Sequence, residues 1–371
     1  MWQNGAVRVV IDAAPLLIRS AGVKSYLYYW IDALRRAAGA QTVRTCPGLA
    51  EMGRLTHEGS VAGLWTTAWG LGSLALSNYT PLPVSDWSAR GADIFHACTL
   101  RRRPPRKTRV TATIHDMTCW LMPELHPAAN LRAEHDFAEL LRRADAAIAV
   151  SQSTKEDTVR TLGLSPEKIT VIASGVAPSF FEVKPEESDR VRRQYGLTRP
   201  FVLFIGTIEP RKNLDTLLDA YESLSASVRE EFELVIAGPL GWAQPATKAR
   251  LARVRYLGYL PEPDVAPLTA AATVFAFPSL YEGFGFPAAQ ALAAGVPVVT
   301  SNVSSLPEIA GEAALLVDPR STAELRDALS RLLLSPDLRA ELARRGRCRA
   351  QQFRWEECAK KSLRFFESLV E

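Results

Sequence analysis

The sequence lacks several features that would at once assign it to a class of protein. Its five cysteines are spread over 371 residues, and no two have the spacing of a zinc site or a redox pair, which indicates a reduced compartment. It has no Asp-x-Asp motif of the kind that holds a metal ion, so we expect no metal. No helix-turn-helix, zinc-finger or aromatic-basic pattern is present, which argues against a nucleic-acid partner.

The beginning of the chain lacks the charged segment and the apolar run of a secretory leader, because a strand-like run at residues 7–11 comes almost at once. We therefore expect a cytoplasmic location. No Gly-x-Gly-x-x-Gly motif opens a helix after that run, which argues against a dinucleotide-dependent oxidoreductase.

One long segment, residues 59–85, lacks any charged side chain and carries Trp65, Trp69 and Tyr79. Its most apolar part is about 17 residues long, whereas a membrane span takes about 20. Two interpretations are open. The segment is either a helix buried in the first domain or a surface that docks, with the basic residues 101–109, on the inner face of an anionic membrane. Residues 1–180 hold 20 Lys and Arg against 15 Asp and Glu, so the excess of positive charge lies there.

Apolar runs of strand length alternate with helical patterns along the chain, which predicts an α/β protein with parallel, doubly wound sheets. A chain of 371 residues exceeds what one hydrophobic core organises, so we expect two such domains. The pattern breaks near residues 173–185, which predicts domains at 1–178 and 179–352 and a C-terminal helix at 353–371. The predicted strands are residues 7–11, 93–96, 110–115, 146–150 and 169–172, then 201–205, 233–237, 254–257, 274–277, 296–300 and 313–317.

Residues 279–300 are the most informative part of the chain. Glu282 stands in a loop with Gly283 and Gly285, and Pro287 and an alanine-rich helical run follow. A glycine-rich loop that opens a helix presents free backbone N–H groups and the positive end of the helix dipole, which together attract an anion. A carboxylate on the same loop accepts hydrogen bonds from hydroxyls. A site that binds phosphate and hydroxyls together suits a sugar nucleotide.

A second segment has the same arrangement of strand, loop and helix. The apolar run FVLFIG at residues 201–206 is followed by TIEPRKN at residues 207–213. Arg211 and Lys212 stand at the end of this loop, where a diphosphate would meet the start of a helix. Taken alone, the pair is equally an exposed, solvated part of a loop. Asn213 is predicted to cap the helix.

Both segments resemble the signature of family 4 of the retaining glycosyltransferases of the GT-B type. The family has a Glu followed by Gly-Phe-Gly and a second Glu eight positions on; here Glu282 matches the first and Gln290 replaces the second. The resemblance implies two Rossmann-like domains facing across a cleft, with the C-terminal helix crossing back to the first. It also implies the retaining transfer of a hexose, first of all mannose, from a GDP- or UDP-sugar to a glycan or lipid-linked acceptor, without a cofactor.

The resemblance assigns roles to individual residues. Arg211 and Lys212 would stabilise the leaving diphosphate, Glu282 would hold the sugar hydroxyls, His115 would orient the sugar and Gln290 would bind the ribose. The other donor-binding residues that it implies are Gly22, Gly206, Leu260, Gly283, Phe284, Gly285 and Phe286.

Three residues of the first domain keep open roles. Residues 19–26, RSAGVKSY, resemble the glycine-rich acceptor-side loop of the family, but only Gly22 of its glycines is present. Lys24 either adds charge near the phosphates or starts the helix. His96 ends a strand and is either a neighbour of His115 or a core residue.

Two rival functions are open. A catalytically silent binding subunit is favoured by Gln290 and by the eroded loop around Gly22. A GT-B nucleotide-sugar epimerase would share the fold but lack the Glu-Gly-Phe-Gly signature. Hydrolysis of the donor without an acceptor would separate an enzyme from a silent subunit.

Overall fold

The computed structural model describes residues 7–20, 22–98, 101–242 and 244–371. The chain forms two compact units. Unit 1 extends to Gly175 and also contains Trp355–Glu371, whereas unit 2 is Val176–Arg354. The end of the chain therefore belongs to unit 1, although the whole of unit 2 separates it in sequence from the rest of that unit.

Unit 1 is built on a six-stranded sheet in which all neighbouring strands are parallel. Its strands are β1 (Val9–Asp12), β2 (Val43–Cys46), β3 (Ile94–Ala97), β4 (Arg109–Ile114), β5 (Ala146–Ala149) and β6 (Ile169–Val171). They lie in the order β2-β1-β3-β4-β5-β6. The order therefore reverses at β1, which has β2 on one side and β3 on the other.

Unit 2 is built on a second six-stranded parallel sheet. Its strands are β7 (Phe201–Ile205), β8 (Glu233–Ala237), β9 (Arg255–Tyr256), β10 (Val274–Phe277), β11 (Val298–Ser301) and β12 (Ala314–Val317). They lie in the order β12-β11-β10-β7-β8-β9. This is the strand order of a dinucleotide-binding Rossmann sheet, and it reverses between β7 and β10.

Helices connect the strands of both sheets. Unit 1 has α1 (Gly22–Ala38), α2 (Leu64–Tyr79), α3 (Val84–Ser88), α4 (Thr118–Leu121), α5 (Ala128–Arg143) and α6 (Gln152–Leu162). Unit 2 has α7 (Pro185–Gln194), α8 (Leu214–Glu222), α9 (Ala226–Glu231), α10 (Pro245–Arg250), α11 (Glu262–Ala270), α12 (Phe286–Ala293), α13 (Leu306–Ala310), α14 (Thr322–Leu334) and α15 (Pro336–Ala350). The last helix, α16 (Trp355–Ser368), is in unit 1.

Helices α1 and α16 pack together in the core of unit 1. Helix α1 buries one apolar stripe that includes Tyr26, Trp30 and Leu34, at the spacing of one helical face. The indole Nε1 of Trp30 donates a hydrogen bond to Ser362 Oγ of α16 at 3.0 Å. The buried polar end of the indole is thereby satisfied, which lets the large ring fill the core.

The predicted fold class, with two parallel α/β sheets, is confirmed. The second sheet was predicted closely, since β7, β8 and β10 have the predicted bounds. Strand β2, with the sequence VRTC, was not predicted because it has only one apolar residue at each end, Val43 and Cys46, with Arg44 and Thr45 between them. Such a short mixed run carries no periodic signal.

Helix α2 carries the uncharged segment, and the structure exposes its apolar face. Trp65 is 90% exposed, Trp69 75% and Tyr79 73%, whereas Gly70 and Ser77 are the buried residues of the helix. The interpretation of this segment as a helix buried in the first domain is therefore wrong. None of the helices in the described ranges combines the length and the apolarity needed to cross a membrane.

The basic segment at residues 101–109 divides into a buried and an exposed part. Arg101 is buried, and its Nε and Nη2 donate to the two carboxylate oxygens of Asp12 at 3.1 and 2.6 Å. Arg102, Arg103 and Arg106 are exposed. The expectation of a basic patch is therefore wrong for Arg101, because a carboxylate in the core neutralises its charge.

Candidate functional site

The reversal of strand order in unit 2 brings two loops together. The loops after β7 and β10 leave the same edge of the sheet, because these strands are parallel neighbours. Ligands of open α/β sheets bind at such a point, outside the carboxyl ends of the strands. Arg211 and Lys212 lie on the first loop and Glu282 on the second. The N–H of Leu280 donates to Arg211 O at 2.8 Å, which ties the loops to each other.

Four charged side chains from these loops form a buried cluster. Lys212 Nζ donates to Glu282 Oε1 at 2.6 Å, and Arg211 Nη1 lies 3.0 Å from Glu282 Oε2. Arg211 Nη2 donates to Glu209 Oε1 at 2.6 Å, and Nη1 donates to Tyr281 O at 2.7 Å. The structure therefore brings three of the four residues predicted to be catalytic together from segments 70 positions apart.

The cluster keeps its central carboxylate ionised. Burial alone would raise the pKa of Glu282, but the charges of Arg211 and Lys212 and the hydrogen bonds from Lys212 and Ser279 lower it to about 2. Burial and the charge of Arg211 lower the pKa of Lys212, whereas Glu282 opposes that change. Two cations face two carboxylates, so the positive charges of the cluster are balanced in this arrangement.

Hydroxyl side chains fix the orientation of Glu282. Ser279 Oγ donates to Glu282 Oε1 at 2.7 Å, and Ser305 Oγ donates to Glu282 O at 2.9 Å. Ser304 Oγ accepts a hydrogen bond from the N–H of Glu282 at 3.0 Å. Ser304 has φ 53°, a left-handed conformation that is uncommon for residues other than glycine. The carboxylate is therefore held by contacts with both its side chain and its backbone.

Asn213 corrects the prediction that it acts as a helix cap. It stands at the N-cap position of α8 with φ 56°, but its side chain makes no capping hydrogen bond. Instead, Nδ2 donates to Pro278 O at 3.0 Å and to Pro319 O at 2.6 Å. Asn213 thus connects the loop after β7 with the segments that follow β10 and β12.

The glycine-rich loop ends at a position that requires glycine. Gly285 has φ 92°, and a Cβ there would lie 2.7 Å from Leu306 Cδ2. Helix α12 begins directly after it at Phe286, so the first free N–H groups of the helix lie beside the cluster's loop. The ring of Phe284 packs against those of Phe286 and Phe353, at centroid distances of 5.1 and 5.5 Å, and belongs to the core.

The other predicted donor-binding residues of unit 2 follow the same edge of the sheet. Gly206 ends the β7 segment, and a Cβ at Gly238 would lie 2.0 Å from Gly206 O, so the loops after β7 and β8 are in close contact. Leu260 is buried in the segment after β9. Gln290 lies half-buried on α12, and its side-chain amide forms no hydrogen bond with any residue that the structure describes.

His115 lies in unit 1, directly after β4. Its ring packs edge-on against Tyr26 at a centroid distance of 4.8 Å, and its Nε2 is buried without a hydrogen-bond partner among the described residues. Burial lowers the pKa of His115 to about 4, although the charge of Asp116 opposes this. The imidazole is therefore neutral near pH 7, with one polar atom that no described side chain satisfies.

Two of the remaining candidates in unit 1, His96 and Lys24, have structural roles. Both ring nitrogens of His96 lie 2.8 Å from threonine hydroxyls of β4, so His96 is a core residue. Lys24 is buried, and its Nζ donates to Thr56 O at 3.1 Å and to Gly59 O at 2.5 Å. The idea that Lys24 adds free charge near phosphates is therefore wrong. Gly22 begins helix α1.

Two kinds of residue in the cluster are not predicted by the sequence motifs. Glu209 stands two positions before Arg211 in the TIEPRKN segment, and this alternation of charge was a usable signal. Ser279 and Ser304 gave no signal, because serine is common in loops and its contacts with Glu282 depend on the packing of three separate segments.

Two known protein families match the chain, one over each half. The family described as "Glycosyl transferases group 1" matches residues 186–349, and the one described as "Glycosyltransferase Family 4" matches residues 4–180.

Individual proteins agree with these matches. The O-antigen chain mannosyltransferase B of Escherichia coli is 34% identical over 274 residues, which cover 72% of this chain and 72% of that protein. The serotype-specific mannosyltransferase WbdA of Escherichia coli is 28% identical over 242 residues, which cover 62% of this chain and 29% of that protein. The crystal structure of Anabaena HepE in complex with UDP and glucose has a TM-score of 0.73 at 19% identity, over 98% of this chain and 100% of that one. At that identity the likeness shows the fold alone.

Proposed function

Because this chain is a glycosyltransferase of family 4 with the GT-B fold, we propose that it moves a hexose from a nucleoside-diphosphate sugar to a hydroxyl of a glycan or lipid-linked acceptor, with retention of configuration. Mannose is the expected sugar, since the two Escherichia coli relatives are named mannosyltransferases. GDP or UDP is the expected nucleotide.

The observation that carries this proposal is the buried cluster of Arg211, Lys212 and Glu282 at the strand-order reversal of unit 2. The two cations bind the diphosphate oxygens, and the N–H groups of Gly285 and Phe286 add the positive end of the α12 dipole. The ionised Glu282 accepts hydrogen bonds from sugar hydroxyls. When the diphosphate binds, its oxygens replace some of the contacts that Arg211 and Lys212 make with the carboxylates in its absence.

The rest of the donor follows the same edge of the sheet. The amide of Gln290 binds the ribose, because one of its atoms is an acceptor and the other a donor. Backbone groups near Gly206 and Leu260 contact the nucleotide. Backbone contacts carry no side-chain code, which is why the sequence does not name the base.

Transfer breaks the bond between the anomeric carbon and the diphosphate oxygen. It forms a bond between that carbon and the acceptor oxygen on the same face, and the acceptor proton passes to the leaving phosphate. Negative charge develops on the diphosphate, where Arg211, Lys212 and the helix N–H groups are already oriented to stabilise it. The neutral His115 orients the donor sugar. Since these groups supply the charge, we expect transfer without a metal ion.

A thermal-shift panel of UDP, GDP, ADP and dTDP tests the donor site. A nucleotide at one hundred times its dissociation constant stabilises the protein by about 2.7 kcal/mol. For a unit of this size, that corresponds to a rise in Tm of roughly 5–10 °C. Arg211→Ala should abolish the shift, whereas Arg326→Ala, an exposed arginine of unit 2, should keep it. The absence of any shift with all four nucleotides would contradict the proposal.

The acceptor side of the proposal concerns the surface of unit 1. Leu64, Trp65, Trp69, Leu76 and Tyr79 are exposed and lie along one face of α2. Tryptophan and tyrosine side chains are suited to the boundary between lipid and water. We propose that this stripe docks peripherally on the inner face of the membrane that carries a lipid-linked acceptor.

Exposed cations adjoin the C-terminal end of the stripe. The guanidinium of Arg102 lies over the Tyr79 ring at 5.3 Å from its centroid, and the N–H of Arg102 donates to Asn78 Oδ1 at 3.0 Å. A guanidinium nitrogen of Arg103 donates to Thr80 O. Aromatic and cationic groups therefore share one surface, and each cation near an anionic bilayer contributes about 1 kcal/mol of binding. This charge favours an anionic lipid surface over a second apolar protein face.

Flotation with phosphatidylcholine vesicles, with and without phosphatidylglycerol, tests this docking. The protein should float at low salt only with the anionic vesicles. Replacing Trp65 and Trp69 together by Ser should abolish flotation, whereas Trp242→Ser, at an exposed tryptophan of unit 2, should not. No flotation of the wild type would contradict the proposal. If the double variant instead converts a dimer to a monomer in light scattering, the stripe is a protein interface.

A further inference from the structure

Glu209 is a buried carboxylate beside the two cations of the donor site, and the transfer step described above does not use it. Only 7% of its surface is exposed. Its Oε1 accepts a hydrogen bond from Arg211 Nη2 at 2.6 Å. Among the residues that the structure describes, no other side chain forms a hydrogen bond or ion pair with this carboxylate. A negative charge at this position opposes the binding of any other anion to Arg211.

The guanidinium of Arg211 has partners on two loops. Nη1 donates to Tyr281 O at 2.7 Å and lies 3.0 Å from Glu282 Oε2, and both of these residues follow β10. Nη2 donates to Glu209, which lies on the loop of Arg211 itself. Carboxylate and phosphate groups present their oxygens to a guanidinium in the same forked geometry. Glu209 therefore occupies at Nη2 the place of a phosphate oxygen.

The two carboxylates that contact Arg211 differ in what else holds them. Glu282 Oε1 also accepts hydrogen bonds from Lys212 Nζ at 2.6 Å and from Ser279 Oγ at 2.7 Å. Glu282 therefore keeps two partners when Arg211 turns to a ligand. Glu209 has only Arg211 in the described part of the chain. The contact between Glu209 and Arg211 is thus the one that a diphosphate can replace without disturbing the group that holds the sugar hydroxyls.

The backbone around Glu209 is fixed, so an exchange of partners involves side chains alone. The N–H of Ile208 donates to Pro239 O at 2.9 Å, and Ile208 O accepts from the N–H of Gly241 at 3.1 Å. On the other side, the N–H of Lys212 donates to Glu209 O at 3.0 Å and closes a short 3₁₀ turn. Rotation about the side-chain bonds of Glu209 moves its carboxylate away from the guanidinium while these backbone contacts stay formed.

Formal charges predict the effect of removing the Glu209 carboxylate. Two positive charges face two negative ones in the cluster, from Arg211, Lys212, Glu209 and Glu282. Burial lowers the pKa of Lys212, and the charges of Glu282 and Glu209 oppose this change. Glu209 thus acts on both cations. Without its charge, the cluster has one positive charge in excess, and its attraction for an anion rises.

We infer that Glu209 competes with the donor diphosphate for Arg211, and that it takes the guanidinium back when the nucleoside diphosphate leaves. This inference rests on the proposed function, because it names the carboxylate that the diphosphate displaces. Glu209 is a positioning residue in this account, since it contacts Arg211 and not the donor. It weakens the binding of donor and product alike, and so it limits inhibition by the product.

The size of the effect follows from the fraction of free molecules in which Arg211 is held. When Glu209 holds the guanidinium in about nine of ten free molecules, the apparent dissociation constant of the nucleotide is about tenfold higher. Glu209→Gln keeps the length of the side chain and one acceptor oxygen but removes the charge. GDP or UDP should therefore bind Glu209→Gln about tenfold more tightly than the wild type.

Calorimetric titration of GDP and UDP into the full chain tests the inference. Glu222→Gln is the matched control, because Glu222 pairs with Arg250 on the surface of unit 2, and it should bind like the wild type. The double variant of Glu209→Gln with Arg211→Ala tests the route of the effect. It should match Arg211→Ala within about twofold, since the competition acts through Arg211.

Release of sugar from GDP-mannose or UDP-glucose, measured without an acceptor, separates competition from a structural role. Glu209→Gln should lower KM about tenfold and leave kcat unchanged, because Glu209 competes with donor and transition state alike. Inhibition by the nucleoside diphosphate product should become about tenfold stronger. A residue that only orients Arg211 would give the reverse when it is changed, with a higher KM and weaker inhibition.

A crystal structure of the wild type with the nucleotide gives a measurement that needs no variant. Arg211 Nη2 should contact a phosphate oxygen and lie more than about 4 Å from the Glu209 carboxylate. An Nη2 that still contacts Glu209 would overturn the inference, and so would equal or weaker nucleotide binding by Glu209→Gln, while binding by the wild type would keep the donor site. If neither the wild type nor Glu209→Gln binds GDP or UDP, the donor proposal itself fails.

Discussion

Both sheets reverse their strand order beside their first strand, and both place an arginine–carboxylate pair at that reversal. In unit 1, Asp12 at the end of β1 pairs with Arg101 after β3, and their side chains are 0% and 2% exposed. In unit 2, Arg211 after β7 pairs with Glu282 after β10, at 13% and 9% exposure. The position in the fold is similar, but the surroundings of the two pairs differ.

The difference separates a structural pair from a ligand site. The Asp12–Arg101 pair is bidentate, so each charge is neutralised by its partner in the core. Glu282 instead shares its oxygens among Arg211, Lys212 and Ser279, next to a glycine-rich loop that opens a helix. A charged group with several partners can exchange one of them for a ligand oxygen. The buried Asp12–Arg101 pair gains no free energy by separating, because each charge is already neutralised. In this protein, the ion pair at the candidate site is the one whose carboxylate faces a second cation, Lys212.

The largest effect on stability should come from breaking the buried Asp12–Arg101 pair. Arg101→Ala leaves the buried carboxylate of Asp12 without its cation, which should lower the free energy of unfolding by about 3–5 kcal/mol. Urea unfolding followed by circular dichroism measures this loss. Arg102→Ala, which removes an exposed pair with Asp136, should cost less than about 1 kcal/mol. Equal losses of unfolding free energy in the two variants would contradict the distinction between the buried ion pair and the exposed one.

Breaking the shared cluster should affect turnover more than folding. Arg211→Ala or Lys212→Ala removes an oriented cation from the developing diphosphate charge, which costs about 2.7–4 kcal/mol, or 10²- to 10³-fold in rate. Sugar release from the donor measures this, with the exposed Arg326→Ala as the control. Rates within threefold of wild type for both cluster variants would contradict the diphosphate assignment.

The ionisation of Glu282 should be visible in acid. Its pKa lies below the ordinary 4.5, at about 2, so its contribution to stability is complete above about pH 4.5 and is lost as the pH falls through the lower value. The full contribution is on the order of 3 kcal/mol, because one pKa unit corresponds to about 1.4 kcal/mol, and Glu282→Gln should lack this part of the pH dependence. Unfolding curves between pH 5 and pH 3 measure it. Parallel losses in the two proteins would show that Glu282 is not held ionised by the cluster.

The smallest effect should come from the helix beside the cluster. Gln290→Glu restores a charged acceptor for the ribose, which should tighten nucleotide binding by about 1 kcal/mol, or roughly fivefold. Calorimetry measures this change, and the preferred sugar should stay the same. If only Gln290→Glu binds a nucleotide, the natural chain is a silent subunit. If neither form binds, the ribose site is misplaced.

The sequence predicted the elements that carry local signals. Continuous apolar runs gave β7 and β10 because both faces of these strands are buried, and the glycine-proline pattern around Gly285 located the start of α12. The sequence located the uncharged apolar segment that contains helix α2, but it did not decide whether this segment is buried or exposed. A run of tryptophan and leucine has the same composition in a core as on a membrane-facing surface.

The interaction partners of the charged side chains could not be predicted from the sequence for the same reason. Arg101 and Arg102 are neighbours of the same residue type, yet one is buried against Asp12 and the other lies over Tyr79. Their partners come from distant parts of the chain, so nothing in the local sequence distinguishes them. The family resemblance located Arg211, Lys212 and Glu282, whereas the serine contacts that hold Glu282 required the assembled fold.

The shared cluster of unit 2 should bind the donor diphosphate even when no acceptor is present. Calorimetric titration of GDP and UDP into the wild type and into Arg211→Ala measures this binding without an acceptor or turnover. We predict that at least one nucleotide binds the wild type with one site per chain, and that Arg211→Ala weakens this binding at least tenfold while its unfolding temperature stays within a few degrees. Binding of equal affinity to both proteins, or of neither nucleotide to the wild type, would contradict the claim.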